Sequence, residues 1–222
     1  MQLSKNTLEV LKNYASINEG LFIKNGNMLR TANKGKTILA ESVVDETFPA
    51  TFGIGDLNQL LSIFSLDKST PELNIDGNDV VVKAYGGRSK ITYRCCDSSN
   101  IKTPPDKDIA VPTKDAIFLL TEPDMEWILK SASVLGAPNI AVVRSNGMLS
   151  LRVLDGQNDS AHTDTLEIEK QSGPDAFLMF KVENWKMMIG TYKVVVSSKG
   201  VAHFEHTTRK IQYWVALEQK AK

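Results

Sequence analysis

The sequence predicts an α+β protein made of two tandem copies of one β-α-β plan, and three observations support this prediction. Helix-like and strand-like segments alternate along all 222 residues. Landmarks of the first half recur in the same order in the second half, offset by 121 to 125 residues. A polar stretch that contains prolines separates the two halves. Because order and spacing repeat together, the pattern indicates a duplicated domain.

The first copy is predicted to begin with a helix over LSKNTLEVLKNYASIN, with Ser4 as its cap. The helical spacing of Leu8, Leu11 and Ala15 predicts its apolar face. GLFIKNGNMLRTAN predicts two strands joined by a hairpin turn at Asn25-Gly26, and KTILAESVV continues the strand pattern.

A second helix and a second hairpin complete the first copy. GDLNQLLSIFSL has a helical apolar pattern that begins after Asp56. ELNIDGNDVVVKAY predicts a hairpin that turns at Asp76-Gly77, and KITYRCC predicts a strand after the Gly86-Gly87 turn. The predicted apolar face of this helix consists of Leu57, Leu60, Leu61 and Phe64.

The chain changes character after residue 97. SSNIKTPPDKDIAVPTKD contains three prolines and many polar side chains, which disfavour a regular helix. We therefore predict a first domain over residues 1–97, an interdomain linker over 98–113 and a second domain over 114–222.

The second copy repeats the order of the first. IFLL predicts a strand, TEPDMEWILKSASVLG a helix, and NIAVVRSNGMLSLRVL a hairpin that turns at Asn146-Gly147. TDTLEIEK and FLMF predict strands, and VENWKMMI predicts a short helix. TYKVVVSSKGVAHFEH predicts a hairpin near Lys199-Gly200, and IQYWVALE predicts the closing strand.

Four landmarks match between the copies. The two Asn-Gly turns are 121 residues apart, Gly77 and Gly200 are 123 apart, and ITYRCC and QYWVAL are 121 apart. The fourth match, at an offset of 125, relates Leu57, Leu60 and Phe64 to Val182, Trp185 and Ile189. The alternative to a duplication is an unrelated α+β chain in which hairpins and helices recur at intervals.

Motifs for catalysis or metal binding are not evident. AYGGRSK fits neither a phosphate-binding loop nor a dinucleotide fingerprint, and DGQND lacks the alternating oxygen ligands of a calcium loop. His203 and His206 would face opposite sides of a strand, without a third ligand. We therefore predict no enzymatic activity, no metal and no cofactor. The adjacent Cys95 and Cys96 are poor candidates for a disulfide, which favours an intracellular protein.

The charges leave two readings open. Lys plus Arg and Asp plus Glu are both 26, so the formal net charge is zero. A protein that coats nucleic acid is usually basic, so any DNA contact needs a local basic face. Lys5 and Lys12 lie within about 20° of each other on the first helix, with Glu9 near the same stripe. Such lysines either contact DNA or belong to a solvated helix face, and the same holds for Lys130 and Lys186.

The role of Trp214 in the closing strand is also open to two interpretations. Alternation places Trp214 and Ala216 on one side of the strand, and Val215 and Leu217 on the other. One side is core, and the other is either more core or a docking patch beside the linker. No apolar run approaches the length of a membrane span, and the first residues lack a signal-peptide pattern.

Several of these segments together resemble a known family. LSKNTLEVLKNYASINEG, DLNQLLSIFSL, GTYKVVV and YWVALE resemble the sliding clamps of T-even-type bacteriophages, which are DNA polymerase processivity factors. The resemblance runs in order through nearly the whole chain and is weakest between about residues 145 and 180. It implies two DNA-clamp domains per chain and a homotrimer closed head to tail around duplex DNA, with helices lining the ring and antiparallel sheets outside.

The resemblance also implies sites and partners. The partners are duplex DNA, the replicative DNA polymerase, a clamp loader and late-transcription factors, in the cytoplasm of an infected bacterial host and without a membrane. Ser133 stands where the family places a basic residue. The implied DNA-facing residues are Lys5, Lys12, Lys130 and Lys186. The implied pocket for a partner peptide consists of Ile109, Val111, Trp214 and Leu217. The implied subunit interface pairs KITYRCC with TDTLEIEK, through Ile91, Tyr93, Leu166 and Ile168.

Two rival functions remain at the level of sequence. A protein that binds single-stranded nucleic acid directly needs exposed aromatic side chains among basic ones, and ITYRCC offers only Tyr93 and Arg94. An enzyme with a small-molecule site at the domain junction would need a buried polar cluster there.

Overall fold

A computed structural model describes residues 1–66, 72–77, 79–105 and 109–218 of the chain. The chain divides into two compact units, Met1–Asp106 and Lys107–Lys222. The predicted linker spans this division, and its residues 106–108 lie outside the described ranges. Within those ranges, no helix combines the length and the apolar character that crossing a membrane requires.

Unit 1 contains two helices and seven strands among its described residues. β1 pairs with β4, β2 with β3, and β6 lies between β5 and β7, all antiparallel. A short 3-10 turn, Ser98–Asn100, follows the last strand. In chain order the elements are α1 (Lys5–Ile17), β1 (Leu21–Ile23), β2 (Gly26–Ala32), β3 (Ile38–Phe48), β4 (Phe52–Ile54), α2 (Leu57–Phe64), β5 (Glu72–Asp76), β6 (Asp79–Ala84) and β7 (Ser89–Arg94).

Unit 2 contains one helix and eight strands among its described residues. One antiparallel group has the strand order β11-β10-β9-β12, and another has the order β15-β14-β13-β8. In chain order the elements are β8 (Ala116–Leu120), α3 (Glu122–Leu135), β9 (Asn139–Ser145), β10 (Met148–Leu154), β11 (Asp164–Lys170), β12 (Ala176–Lys181), β13 (Tyr192–Ser197), β14 (Val201–His206) and β15 (Ile211–Ala216). The predicted α+β class is therefore confirmed.

Helix α1 begins as predicted, but its buried face is rotated relative to the prediction. The Ser4 hydroxyl accepts a hydrogen bond from the Thr7 backbone N–H at 3.1 Å, which caps the helix. Leu8 and Ala15, which were predicted to be core, are only half-buried. The phenol of Tyr14 donates to the Leu29 carbonyl at 3.2 Å, and the stripe that contains Tyr14, next to the predicted one, faces inward. The buried residues are Thr7, Val10, Leu11, Tyr14 and Ile17.

Helix α3 has clear signals at both ends. Thr121 accepts a hydrogen bond from the Asp124 backbone N–H at 3.3 Å, and the helix carries acidic residues and a proline in its first turn. Gly136 ends the helix at a φ of 60°, in the left-handed conformation that glycine adopts without steric cost. The predicted helix over TEPDMEWILKSASVLG is therefore confirmed.

The predicted hairpin at Asn25-Gly26 is wrong. Strand β1 pairs with β4 and strand β2 pairs with β3, so the two flanking strands do not pair with each other. The Asn25 amide donates to the Pro49 carbonyl at 2.7 Å, and its backbone N–H donates to Thr51 Oγ1 at 3.1 Å. These bonds hold Asn25 against the residues that connect β3 to β4. At this point the chain leaves its pairing with β4 and begins its pairing with β3.

The structural counterpart of the Asn146-Gly147 turn is the connection between β2 and β3. β9 and β10 pair across Asn146-Gly147, directly after α3. In unit 1, the strand pair that follows α1 is β2–β3, joined by residues 33–37. The duplication remains visible in this order of elements, although the first landmark that suggested it was misplaced.

The predicted short helix over VENWKMMI is also wrong. Only Val182–Asn184 forms a 3-10 turn, and Lys181 at its start makes no capping hydrogen bond. Trp185 and Met187 are buried on either side of the exposed Lys186, a two-residue alternation typical of extended chain. Because Trp185 packs edge-on against Phe180 and Phe204, tertiary contacts override the helical pattern of the sequence.

An aromatic cluster forms part of the core of unit 2. The Phe204 ring lies edge-on to Phe180, Trp185 and Tyr192, with centroid separations of 6.3, 5.7 and 6.4 Å. The side chain of Phe204 is 1% exposed. Edge-to-face contacts at these distances add stabilisation beyond the burial of apolar area. This cluster joins the chain after β12 to strands β13 and β14.

Candidate nucleic-acid and protein interfaces

Two lysines project from the solvent side of α1. Lys5 and Lys12 are exposed, and the buried stripe of the helix lies opposite them. Ser16 is exposed on the same side, and Glu9 beside it is half-buried. Helix α1 can therefore present two positive charges, separated by two turns, to a surface that crosses it.

The exposed side of α2 carries no charge. Its exposed residues are Asn58, Gln59 and Ser62, while Leu57, Leu60 and Phe64 face the core. Asp56 caps this helix by accepting a hydrogen bond from the Gln59 backbone N–H at 2.9 Å. Amide and hydroxyl side chains can meet a phosphate backbone without adding strong salt-dependent attraction.

Helix α3 presents Lys130 together with large apolar side chains. Lys130 and Ser133 are exposed, while Trp127 and Val134 are 58% and 76% exposed. The Trp127 indole N–H donates to Asp164 Oδ2 at 2.9 Å, which ties α3 to the start of β11. Sequence reasoning singled out Lys130 but missed Trp127 and Val134, whose spacing places them beside it on the helix.

Lys186 is exposed, but it does not lie on a helix. It follows the 3-10 turn of unit 2, between the buried side chains of Trp185 and Met187. The two-residue alternation of this segment, rather than a helical face, directs Lys186 to solvent.

Among the four residues predicted to form a peptide pocket, the structure joins Trp214 and Ile109. The Trp214 indole N–H donates to the Ile109 carbonyl at 3.1 Å, and its ring stacks on His203 with centroids 4.9 Å apart. Trp214 is 7% exposed, whereas Ile109, Val111 and Leu217 are half-buried. Trp214 can therefore support a docking site but offers little ring surface itself.

Both strands predicted to form the subunit interface are edge strands of their sheets. Among the described residues, β7 pairs only with β6 in its three-stranded sheet, and β11 pairs only with β10 in its four-stranded group. Each edge therefore has backbone groups available to another strand. Ile91, Leu166 and Ile168 are half-buried on these strands.

Tyr93 has a different environment from the other predicted interface residues. It is 7% exposed, and its hydroxyl accepts a hydrogen bond from the Asp56 backbone N–H and donates to the Asp56 carbonyl. Burial raises the pKa of the phenol above its usual value. The ring therefore holds the start of α2 from inside unit 1, and it is not free to stack on a base. This weakens the rival hypothesis of a single-stranded nucleic-acid binder.

The two edge strands carry opposite charges on their exposed sides. β7 exposes Lys90, Thr92 and Arg94, and Arg94 also pairs with Asp79 at 2.7 Å. β11 exposes Thr165, Glu167 and Glu169 on one side, and its last residue, Lys170, is also exposed. The sequence analysis missed this complementarity of charge, although the alternation of side chains in KITYR and TLEIE places the charged residues on one side of each strand.

Two of the three histidines, His203 and His206, have structural roles. His203 shares a 2.9 Å hydrogen bond with Gln212, and His206 Nδ1 accepts the backbone N–H groups of Thr208 and Arg209. Burial lowers the pKa of His206, which keeps its ring neutral and able to accept these bonds. Across the described part of the chain, no three His, Cys, Asp or Glu side chains gather in a way that could hold a metal ion.

The architecture of this chain is similar to that of solved clamp structures. A solved structure of A. fulgidus PCNA, with the C-terminal region of FEN-1 bound, is similar to this chain with a TM-score of 0.72. The two share 12% sequence identity over 100% of this chain and 98% of that one. This likeness shows the two-domain clamp fold.

Sequence comparisons identify the family. The family model described as DNA polymerase processivity factor matches residues 4–102. The sliding clamp of Enterobacteria phage T4 is 31% identical to this chain, covering 98% of it and 97% of the T4 protein. The sliding clamp of Vibrio phage KVP40 is 30% identical, covering 98% of this chain and 99% of its own. The chain belongs to the phage sliding clamp family of DNA polymerase processivity factors.

Proposed function

We propose that three copies of this chain join head to tail into a closed ring around duplex DNA and hold the replicative polymerase to it. The observation that carries the proposal is the complementarity of β7 and β11. Pairing them in two different copies aligns Ile91 with the apolar side of β11, and the basic side of β7 with Glu167 and Glu169.

Charge favours this pairing over the alternatives. Two β7 strands would place lysine and arginine against each other, and two β11 strands would place glutamates together. Like charges directly opposite each other destabilise a strand pair. Head-to-tail contacts that close on themselves form a ring and leave neither edge exposed. The resemblance to phage clamps implies that three copies complete it.

The sparse basic residues suit a ring that slides. A closed ring retains DNA by topology, so it does not need high affinity. Each phosphate that a lysine neutralises adds salt-dependent attraction, and many such contacts would slow movement along DNA. We assign the contacts with the phosphate backbone to Lys5, Lys12, Lys130 and Lys186, in a chain whose formal net charge is zero.

Partner proteins are proposed to dock on the same chain, which itself catalyses no reaction. The C-terminal region of FEN-1 is bound to A. fulgidus PCNA, which supports peptide docking on this fold. We assign the equivalent role to Ile109, Val111, Trp214 and Leu217, with the polymerase, a clamp loader and late-transcription factors as partners. The proposed location is the cytoplasm of an infected bacterial host.

Lys5→Glu together with Lys12→Glu is expected to shorten the products that the polymerase makes in one binding event. Two contacts with phosphate become repulsive while the buried face of α1 is untouched, so we expect a reduction of about tenfold. Primer extension with excess unlabelled trap DNA measures this length. The matched control, Lys34→Glu with Lys199→Glu, changes the same charge at exposed loop positions and is expected to behave like the unmodified chain. Unchanged product length in the α1 variant would remove the DNA role assigned to these lysines.

A further inference from the structure

Two large apolar side chains are exposed on strand β8 of unit 2. Ile117 and Leu119 are 40% and 49% exposed. The residues that alternate with them, Ala116, Phe118 and Leu120, are buried in the core. Because successive side chains of a strand point to opposite faces, Ile117 and Leu119 lie side by side on the solvent face of their sheet. We call this pair the β8 patch.

The β8 patch lies at the end of the edge strand β11. Gln171, which directly follows β11, donates from Nε2 to the Ile117 carbonyl at 2.6 Å and to Glu169 Oε1 at 3.4 Å. The end of the described chain lies elsewhere, since the backbone N–H of Glu218 donates to the Met179 carbonyl of β12 at 2.7 Å. β12 and β11 form opposite edges of the same four-stranded group. The β8 patch therefore adjoins the strand that we assign to the subunit interface.

The turn between β6 and β7 exposes an aromatic side chain of unit 1. The backbone N–H of Gly87 donates to the Ala84 carbonyl at 3.1 Å, and that of Arg88 donates to the Tyr85 carbonyl at 3.2 Å. Tyr85 is 67% exposed, and the Arg88 guanidinium lies 5.0 Å from the centroid of its ring. We call residues 85–88 the Tyr85 turn. It directly precedes β7, the other strand assigned to the interface.

The backbone of Tyr85 has an unfavourable conformation. Its φ of 56° lies in the left-handed region, which a bulky side chain rarely adopts and which glycine adopts without steric cost. Strain of this kind is concentrated at positions that bind a ligand or a partner. The turn thus holds a tyrosine where a glycine would fold more easily, which points to a contact made by the phenol ring.

The pairing of β7 with β11 determines where the Tyr85 turn lies. Every strand pair among the described residues is antiparallel, and the proposed pair continues that pattern. One antiparallel register pairs all six residues of β7 and keeps exposed side chains opposite exposed ones, and it sets Lys90 opposite Glu169. Two residues closer to the turn, Arg88 lies opposite Gln171. The Tyr85 turn of one copy therefore reaches the Gln171 side chain, which contacts the β8 patch of the next copy.

We propose that the Tyr85 turn of each copy docks on the β8 patch of the neighbouring copy. The phenol ring of Tyr85 covers Ile117 and Leu119. The Arg88 guanidinium approaches Glu169, whose carboxylate carries the opposite charge. This contact rests on the proposed head-to-tail pairing and adds a second point of attachment outside the two strands. It buries two exposed apolar surfaces against each other, which favours the closed ring.

Tyr85→Gly is expected to raise the dissociation constant of the assembled ring about tenfold, because it removes the side chain that covers the β8 patch. Sedimentation equilibrium over a dilution series of the full chain measures this constant. The urea midpoint of the single copy, measured at concentrations where the ring has dissociated, is expected not to fall, since glycine relieves the backbone strain. An unchanged dissociation constant would overturn the proposal and leave the β8 patch to a different partner.

Leu119→Thr tests the other side of the same contact. It replaces an exposed leucine by a residue that suits a strand, and it is expected to raise the dissociation constant about fivefold. Combined with Tyr85→Gly, the total is expected to stay near about tenfold, since both substitutions remove one shared contact. Met28→Thr, on β2, removes an apolar side chain that is 47% exposed, and it is expected to leave the constant unchanged. Multiplied effects of about fiftyfold in the double variant would mean that the two side chains do not meet.

Failure of this contact is distinguishable from failure of the ring itself. An unmodified chain that sediments as a single copy at every concentration would remove the ring and this contact with it. A chain that assembles with a dissociation constant that neither Tyr85→Gly nor Leu119→Thr changes would overturn the contact alone.

Discussion

Lys90→Glu together with Arg94→Glu is expected to reduce the proposed assembly to single chains. The substitutions place two carboxylates on β7 opposite Glu167 and Glu169 of the neighbouring copy, and the repulsion recurs at every interface of the ring. Arg94 also loses its ion pair with Asp79, which lies 2.7 Å away. Analytical ultracentrifugation at micromolar concentration is expected to give a mass near the 24.5 kDa of one chain.

The companion variant on the other strand makes this test specific. Glu167→Lys with Glu169→Lys is expected to dissociate the ring by itself and to restore it when combined with the β7 substitutions. Lys193→Glu with Lys210→Glu reverses two exposed charges away from both edges and is expected to leave the assembly intact. If the β7 variant keeps the mass of the unmodified assembly, β7 is not at the interface.

Phe204→Ala is expected to lower the free energy of unfolding of unit 2 by about 3–5 kcal/mol. The substitution removes a ring that is 1% exposed and that contacts Phe180, Trp185 and Tyr192. The remaining side chains cannot close the resulting void without disturbing their own edge-to-face contacts. Urea denaturation followed by tryptophan fluorescence measures the change, because Trp185 belongs to the cluster.

The matched control for that substitution lies on the surface of the same unit. Val134 is 76% exposed on α3, so Val134→Ala is expected to change the free energy of unfolding by no more than about 0.5 kcal/mol. A loss below about 1 kcal/mol for Phe204→Ala would mean that the aromatic cluster is not a main source of stability in unit 2.

Local signals predicted most of the helices and strands. Ser4, Thr121 and Gly136 mark helix ends through hydrogen bonds and backbone conformations that nearby residues determine. The errors arose where contacts between residues that are distant in sequence determine the local structure. Asn25-Gly26 fits a hairpin turn locally, but bonds to Pro49 and Thr51 direct the chain between two different partner strands.

The short helix predicted over VENWKMMI is wrong for the same reason. Its apolar spacing fits a helix as well as a strand, and only the packing of Trp185 against Phe180 and Phe204 selects the extended form.

The candidate sites were partly accessible to sequence reasoning. Lys5 and Lys12 were expected on the solvent side of a helix, and they are exposed there. The buried phenol of Tyr93 was not foreseeable, because its partner Asp56 is distant in sequence.

Retention on circular DNA tests most directly whether the chain works as a closed ring. After a clamp loader has acted on nicked circular duplex DNA, gel filtration at about 0.5 M NaCl separates bound from free protein, with electrostatic contacts largely screened. The protein is expected to stay with the circle through this salt wash and to leave once a single restriction cut has made the DNA linear. Release from the intact circle by salt, or equal retention on circular and linear DNA, would contradict topological linkage.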